Sequence, residues 1–182
     1  MDLSDIKLPH SWSFYDNIKC TKDDYTNGIN IIGTCSTVYE FWACYDNVHK
    51  PSIVFYSKEK GKPYYIKDNV KREITSMCLF KDNITPTWED PKNATGGQLD
   101  IRKSEDTDFY WFTLCTNIVS NNIHDDITGF RIVDSSNQIT EKILFRIEIW
   151  LTTLDNVTLI EKKIRTLLNM SPLEKIIIKK HT

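Results

Sequence analysis

Between Ile143 and Pro172 the hydrophobic period of the chain changes once. In ILFRIEIWLTT, Arg146, Glu148 and Trp150 alternate with Ile147 and Ile149, the two-residue period of a strand with two unlike faces. In DNVTLIEKKIRTLLNMSP, Val157, Ile160, Ile164, Leu167 and Leu168 fall on one face of a helix, with Thr158 and Glu161 spaced for a capping box. A half-apolar strand beside an amphipathic helix calls for a layered fold in which helices cover one face of a sheet.

The same two periods recur along the chain. SWSFYDNI, NGINIIGT, SMCLFKD, GGQLDIRK, GFRIVD and EKIIIKK read as strands, rich in β-branched and aromatic residues. STVYEFWACYDNVHKPS reads as a helix with Thr37 as N-cap, Glu40 completing a capping box, and Val38, Phe41, Trp42, Tyr45 and Val48 at helical spacing up to Pro51. DTDFYWFTLCTNIVSNN starts acidic, turns apolar and predicts another helix. The lysine-rich stretch from about 52 to 75, broken by Gly61 and Pro63, reads as an expanded, solvated loop. Strands and helices interleave irregularly without a repeat. The expected architecture is a single α+β domain over 1–182: a mainly antiparallel sheet with about three helices on one face.

With 182 residues, 40% hydrophobic and 26% charged, the chain has the composition of a soluble globular protein with one substantial core. A net charge of -2 disfavours a broad phosphate-binding surface. MDLSDIKLPHSW shows no signal-peptide pattern and no apolar run is long enough to span a membrane, so a cytoplasmic location is expected. Cys20, Cys35, Cys44, Cys78 and Cys115 are odd in number and lack C-x-x-C spacing, which predicts reduced, mostly buried thiols and no metal site.

Catalytic signals are weak. His10, His49, His124 and His181 are dispersed and read as solvated surface residues, and no nucleophile elbow, phosphate-binding glycine loop or His-pair metal motif occurs. The chain is therefore read as a non-enzyme without a cofactor. Its aromatic residues say more. In ITPTWEDPKNATGGQLDI, Trp88 stands in a polar loop beside Glu89. Tyr25 stands in another polar loop, and Trp150 shares a strand face with Arg146 and Glu148. Each alone is compatible with half-buried packing. Together they permit a site in which two rings stack on a flat base. Glu89 would accept the adjacent N1–H and N2–H donors of guanine, a pair that adenine lacks, and Arg146 would lie near attached phosphates. A cationic base would add cation–π attraction.

The chain resembles the translation initiation factor 4E family, which binds the 7-methylguanosine cap of messenger RNA. The resemblance rests on TVYEFWACYDNVHKPS, LFKDNITPTWEDPKNATGGQ and RIEIW in that order, from about Pro9 to the last strand. It implies a curved antiparallel sheet backed by three helices on the convex side, with the cap on the concave side. By the resemblance, Trp88 is one plate of the base sandwich, Glu89 the guanine-reading carboxylate, Trp150 the contact to the added methyl group and Arg146 a phosphate contact. Tyr25 falls where the main branch has its second plate, as in the divergent 4E-homologous branch. Pro9, Val38, Trp42 and Phe112 match the surface that docks a helical peptide from a scaffold protein of the 4G type or from a 4E-binding repressor. Spacing alone favours Val38 and Trp42 as core; only the resemblance places them outward. Three departures stand out. Thr113 replaces a glutamate, Gln98 replaces the basic residue after the two glycines, and the turn between GFRIVD and RIEIW is longer than usual, with Arg131 and Lys142 as candidates for its phosphate contacts.

These readings make the chain a monomeric cap-binding factor that recruits or competes with the initiation machinery. The alternatives are a cap-competing repressor or adaptor, a general single-stranded RNA binder and a nucleotide-directed enzyme. The carboxylate beside Trp88 and the acidic net charge weigh against indiscriminate RNA binding.

Overall fold

The computed structural model describes residues 6–19, 28–67 and 69–181. Two long strands, β1 (Lys7–Ile18) and β2 (Ile29–Thr37), lead into α1 (Val38–Asn47). Thr37 and Glu40 form the expected reciprocal capping box, each satisfying a backbone N–H of the other. The helix stops at Asn47, before the expected Pro51. That proline instead opens a one-turn helix, α2 (Pro51–Val54), at a first-turn position where its missing N–H costs nothing.

The segment expected to be a solvated loop is packed. Phe55 and Tyr56 are buried, and β3 (Tyr65–Lys67) pairs with β4 (Val70–Arg72) as a hairpin. Lys62 Nζ donates to Asp134 at 2.7 Å and to the Ile74 carbonyl at 2.6 Å, while the Tyr56 N–H donates to the same carboxylate at 2.8 Å. Lysine-rich composition hid this anchor, because nothing local marks which lysine meets a buried acid.

Next come β5 (Ile74–Lys81), the one-turn α3 (Pro91–Ala94), β6 (Gly97–Lys103), α4 (Thr107–Val119), β7 (Ile127–Asp134), β8 (Phe145–Leu151), α5 (Val157–Leu167) and β9 (Ile176–Lys180). The main sheet has seven strands in the order β2-β1-β5-β7-β8-β6-β9, every neighbouring pair antiparallel. The capping box expected from Thr158 and Glu161 does not form. Asn156 precedes α5 without a side-chain cap bond, and Glu161 pairs one turn on with Arg165 at 2.9 Å.

Pleating divides the sheet. Phe14, Leu79, Leu99, Ile101, Phe130, Ile132, Ile147 and Ile149 join Phe41, Trp111, Leu114, Ile160 and Ile164 of the helices in one core. The intervening residues, among them Cys78, Phe80 and Trp150, face the other way. Three longer helices cover one face, as expected, and the opposite face carries the site.

Candidate functional site

Strand register sets out the floor of the site. Along β7 and β8, Arg131 stands across from Glu148, Val133 from Arg146 and Gly129 from Trp150. On the other side of β8, β6 places Asp100 across from Glu148 and Gln98 across from Trp150. One face of three strands thus carries Arg131, Arg146, Asp100, Glu148, Gln98 and Trp150, all brought together by β-pairing. Gly96 and Gly97 let these backbones meet. An added Cβ would lie 1.8 Å from the Leu151 carbonyl oxygen at Gly96 and 2.4 Å from the Lys179 carbonyl oxygen at Gly97.

Glu148 is the hub. Its side chain is 2% exposed and accepts from Arg131 Nε at 2.5 Å, Arg146 Nε at 2.5 Å and Trp150 Nε1 at 3.2 Å. Burial pushes its pKa upward, but Arg131 and then Arg146 outweigh burial and hold it below the ordinary glutamate value. The Arg131 guanidinium also lies 5.0 Å from the Trp150 ring centre. Trp150, read from alternation as sharing the polar face, does so with no exposed surface.

Above this floor the loop between β5 and β6 carries Trp88 and Glu89. Asp90 accepts from the N–H groups of Thr85 and Lys92, Pro91 opens α3, and buried Asn93 donates to the carbonyls of Thr85 and Thr87 at 3.0 and 2.9 Å. These bonds brace the turn from inside and leave its tip outward. Trp88 remains 52% exposed and Glu89 is exposed. Trp88, Glu89, Arg131, Arg146 and Trp150 line one cleft of about 380 Å³, completed by Thr75, Ser76, Pro86, Thr87 and Val133. Of the residues expected in a base-binding site, Trp88, Glu89, Arg146 and Trp150 are thus brought together. Tyr25 lies outside the described residues. Lys142 borders a different recess with Arg102, Lys103 and Glu174, whereas Arg131 is in the cleft. The alternation that places Arg146 on its face also places Arg131, if it is applied to GFRIVD.

His181 is the residue that the sequence reading missed. Expected at the surface, it is 6% exposed. Its ring centre lies 6.1 Å from that of Trp88, nearly parallel at 27°, and 4.8 Å from that of Trp150, at 62°. No local signal marks it, since its burial comes from β9 joining the sheet edge.

On the helix face, Trp42 and Phe112 are 38% and 46% exposed, with ring centres 6.3 Å apart, and Tyr45 packs against Phe112 at 6.1 Å. Trp42 is therefore not core, although helical spacing alone favoured that; Phe41, its neighbour, takes the buried position. Val38 is half-buried, with its N–H bonded to the Ile6 carbonyl, and Pro9 is exposed on β1.

Among the described residues no group of His, Cys, Asp and Glu could hold a metal ion, and no helix is long and apolar enough to cross a membrane. Cys35, Cys44, Cys78 and Cys115 are free thiols. Burial pushes Cys35 and Cys78 up to about 12, so both are poor nucleophiles.

The sequence profile of the family described as eukaryotic initiation factor 4E matches residues 7–182. Among similar proteins is eukaryotic translation initiation factor 4E-1 of Lactuca sativa, 31% identical over 128 residues, which are 67% of this chain and 47% of that protein. The 4E-1 factor of Citrullus lanatus is 35% identical over 100 residues, 53% of this chain and 35% of that one. The chain thus spans about half or less of the length of these relatives. Among solved structures, schistosome eIF4E complexed with m7GpppA and 4E-BP aligns with a TM-score of 0.74 at 22% identity, covering 96% of this chain and 87% of that one. Ascaris suum eIF4E-3 with m7G cap aligns with a TM-score of 0.77 at 19% identity, covering 97% and 92%. At these identities the structural matches establish the fold.

Proposed function

The chain belongs to the eukaryotic initiation factor 4E family, and from that premise we propose that it binds the 7-methylguanosine cap of messenger RNA in the Trp88 cleft. We also propose that it engages a helical segment of a 4G-type scaffold or a 4E-binding repressor at the Trp42–Phe112 surface. The observation that carries the first reading is the pairing of exposed Trp88 with exposed Glu89 on one rim of a cleft that also holds Arg131 and Arg146.

Each part of the ligand has a counterpart there. The base stacks on Trp88, and its delocalised positive charge after methylation strengthens that contact. Glu89 accepts N1–H and N2–H of guanine. Tyr25 supplies the second plate, and Trp150, covered by Arg131 and His181, forms the floor beneath the methyl group. Arg146 commits Nε to Glu148 but has five N–H donors in all, so its outer ones can meet phosphate. The work is binding rather than catalysis, in the cytoplasm, by a monomer. The helix-face cluster supports the partner reading, because soluble proteins seldom expose adjoining aromatic rings without a use for them. The partner's nature decides whether the cap is recruited or withheld.

The test is retention on immobilised 7-methyl-GTP. Release by free 7-methyl-GTP, but not by unmethylated GTP or ATP, is the expected result. Equal release by all three would mean a general nucleotide binder.

A further inference from the structure

The hydrogen bonds around His181 form a chain whose donors and acceptors are determined from one end. Asp100, 2% exposed, accepts from Lys179 Nζ and from Gln98 Nε2. A carboxylate only accepts, so the Gln98 amide must turn its NH2 group toward Asp100 and its carbonyl oxygen away. That oxygen lies 3.1 Å from His181 Nε2. On the other side of the ring, His181 Nδ1 lies 2.8 Å from the backbone carbonyl oxygen of Asn93, another group that only accepts. Both ring nitrogens therefore face oxygens. A neutral imidazole has one N–H and one lone pair, and would set the lone pair against an oxygen. The imidazolium satisfies both contacts, and its charge is favoured by the indoles of Trp88 and Trp150 against which it packs.

The ring also touches the scaffold of the Trp88 loop, since Asn93 is the residue whose side chain ties down Thr85 and Thr87. We infer that His181 is a positioning residue for Trp88, supporting the plate and its turn through a ring that packs on the indole and bonds to Asn93 and Gln98, so that ligand affinity falls when the ring is replaced. The inference rests on Trp88 being the base-stacking plate. The other charged groups around the ring are Lys179 and Lys180 on β9, Arg146 and Glu148 on β8, and, through Gln98, Asp100 on β6. Asp100 is matched by Lys179, and Glu148 by two arginines.

The experiment combines a ligand-free and a ligand-bound measurement. Long-range proton–nitrogen NMR spectra of the free protein report whether His181 carries one or two N–H groups. Titrations with 7-methyl-GTP are run in parallel on wild type, H181F and H181Q. Phenylalanine keeps a ring against the indoles without N–H groups; glutamine keeps a donor toward Asn93 without a ring. Wild type is expected to show N–H groups on both ring nitrogens and to bind about three- to tenfold more tightly than H181F. H181Q should fall between them. A ring nitrogen without an N–H group, or H181F with the affinity of wild type, would overturn the inference. Should wild type fail to bind 7-methyl-GTP while His181 is an imidazolium and H181F alters Trp88 emission, the cap reading fails and the positioning role stands.

Discussion

The molecule shows aromatic rings on both faces of its sheet, and the two sets are built differently. In the cleft, Trp150 is sealed under Arg131 and His181, and among the described residues only Trp88 projects, on a turn braced by Asp90 and Asn93. Charges of both signs surround it: Glu89, Arg131, Arg146 and Glu148. On the helix face, Trp42, Tyr45 and Phe112 lean on one another, with their neighbours Phe41 and Trp111 buried in the core. The first surface offers a stacking plane with fixed hydrogen-bonding directions, suited to a small polar ligand with a flat face. The second offers apolar area on helices and little directional chemistry, suited to the apolar stripe of another helix. An exposed tryptophan therefore means different things according to what is fixed around it.

The largest effect that separates the two regions is expected at Glu148. Glu148→Ala leaves Arg131 and Arg146 without the carboxylate they share, and breaking a buried ion pair on one side costs about 3–5 kcal/mol of stability. Removing a ring from the helix face should cost far less stability, and urea unfolding of both variants makes the comparison. Its pH dependence follows from the sign of the shift. The Glu148 pKa is lowered from 4.5 in the folded state and that of Asp134 from 3.8, so their stabilisation is present above those values. It is lost as pH falls through the lower folded values. Acid unfolding should therefore steepen below about pH 4, and Asp134→Asn should remove part of that slope.

Next is Trp42→Ala. A buried aromatic anchor at an interface typically costs about 2 kcal/mol or more when truncated, so binding of a helical 4E-binding peptide should fall at least about thirtyfold. Cap affinity should stay within a few-fold and the melting temperature should barely move. A collapse of the melting temperature would show that Trp42 is packing rather than surface.

Glu89→Ala should cost about 1–3 kcal/mol of guanine affinity, since two ligand donors lose a charged acceptor. Selectivity for methylated guanosine over adenosine nucleotides should vanish while the fold survives. A variant that still prefers guanosine would show that another residue reads the base.

The smallest effect is expected at Tyr25. If it is the second plate, Tyr25→Trp should tighten cap binding by about 0.5–1 kcal/mol, more for methylated than for unmethylated nucleotide, because only the methylated base is cationic. Tyr25→Ala should weaken binding by more. Tryptophan fluorescence titrations measure both; a neutral alanine variant would leave the cleft with one plate.

Much of this molecule could be read along the chain. Strict alternation in FRIEIW placed Arg146, Glu148 and Trp150 together on one face, because a strand leaves its side chains no other arrangement. Thr37 and Glu40 announced the start of α1, because a cap is completed within four residues. Glu89 beside Trp88 in a polar loop already indicated a flat face and an acceptor. Apart from the Thr158–Glu161 capping box, which is local, the reading failed where tertiary packing decides a side chain's environment. Helical spacing could not say that Phe41 turns inward and Trp42 outward, since both belong to one apolar stripe and only the packing of α1 on the sheet divides them. The Lys62–Asp134 pair, Arg131 on Glu148 and the burial of His181 join residues from different strands and turns. Their environments are set by β-register and by which edge β9 takes, and a buried charge or ring becomes favourable only when that closure brings its partner within bonding distance.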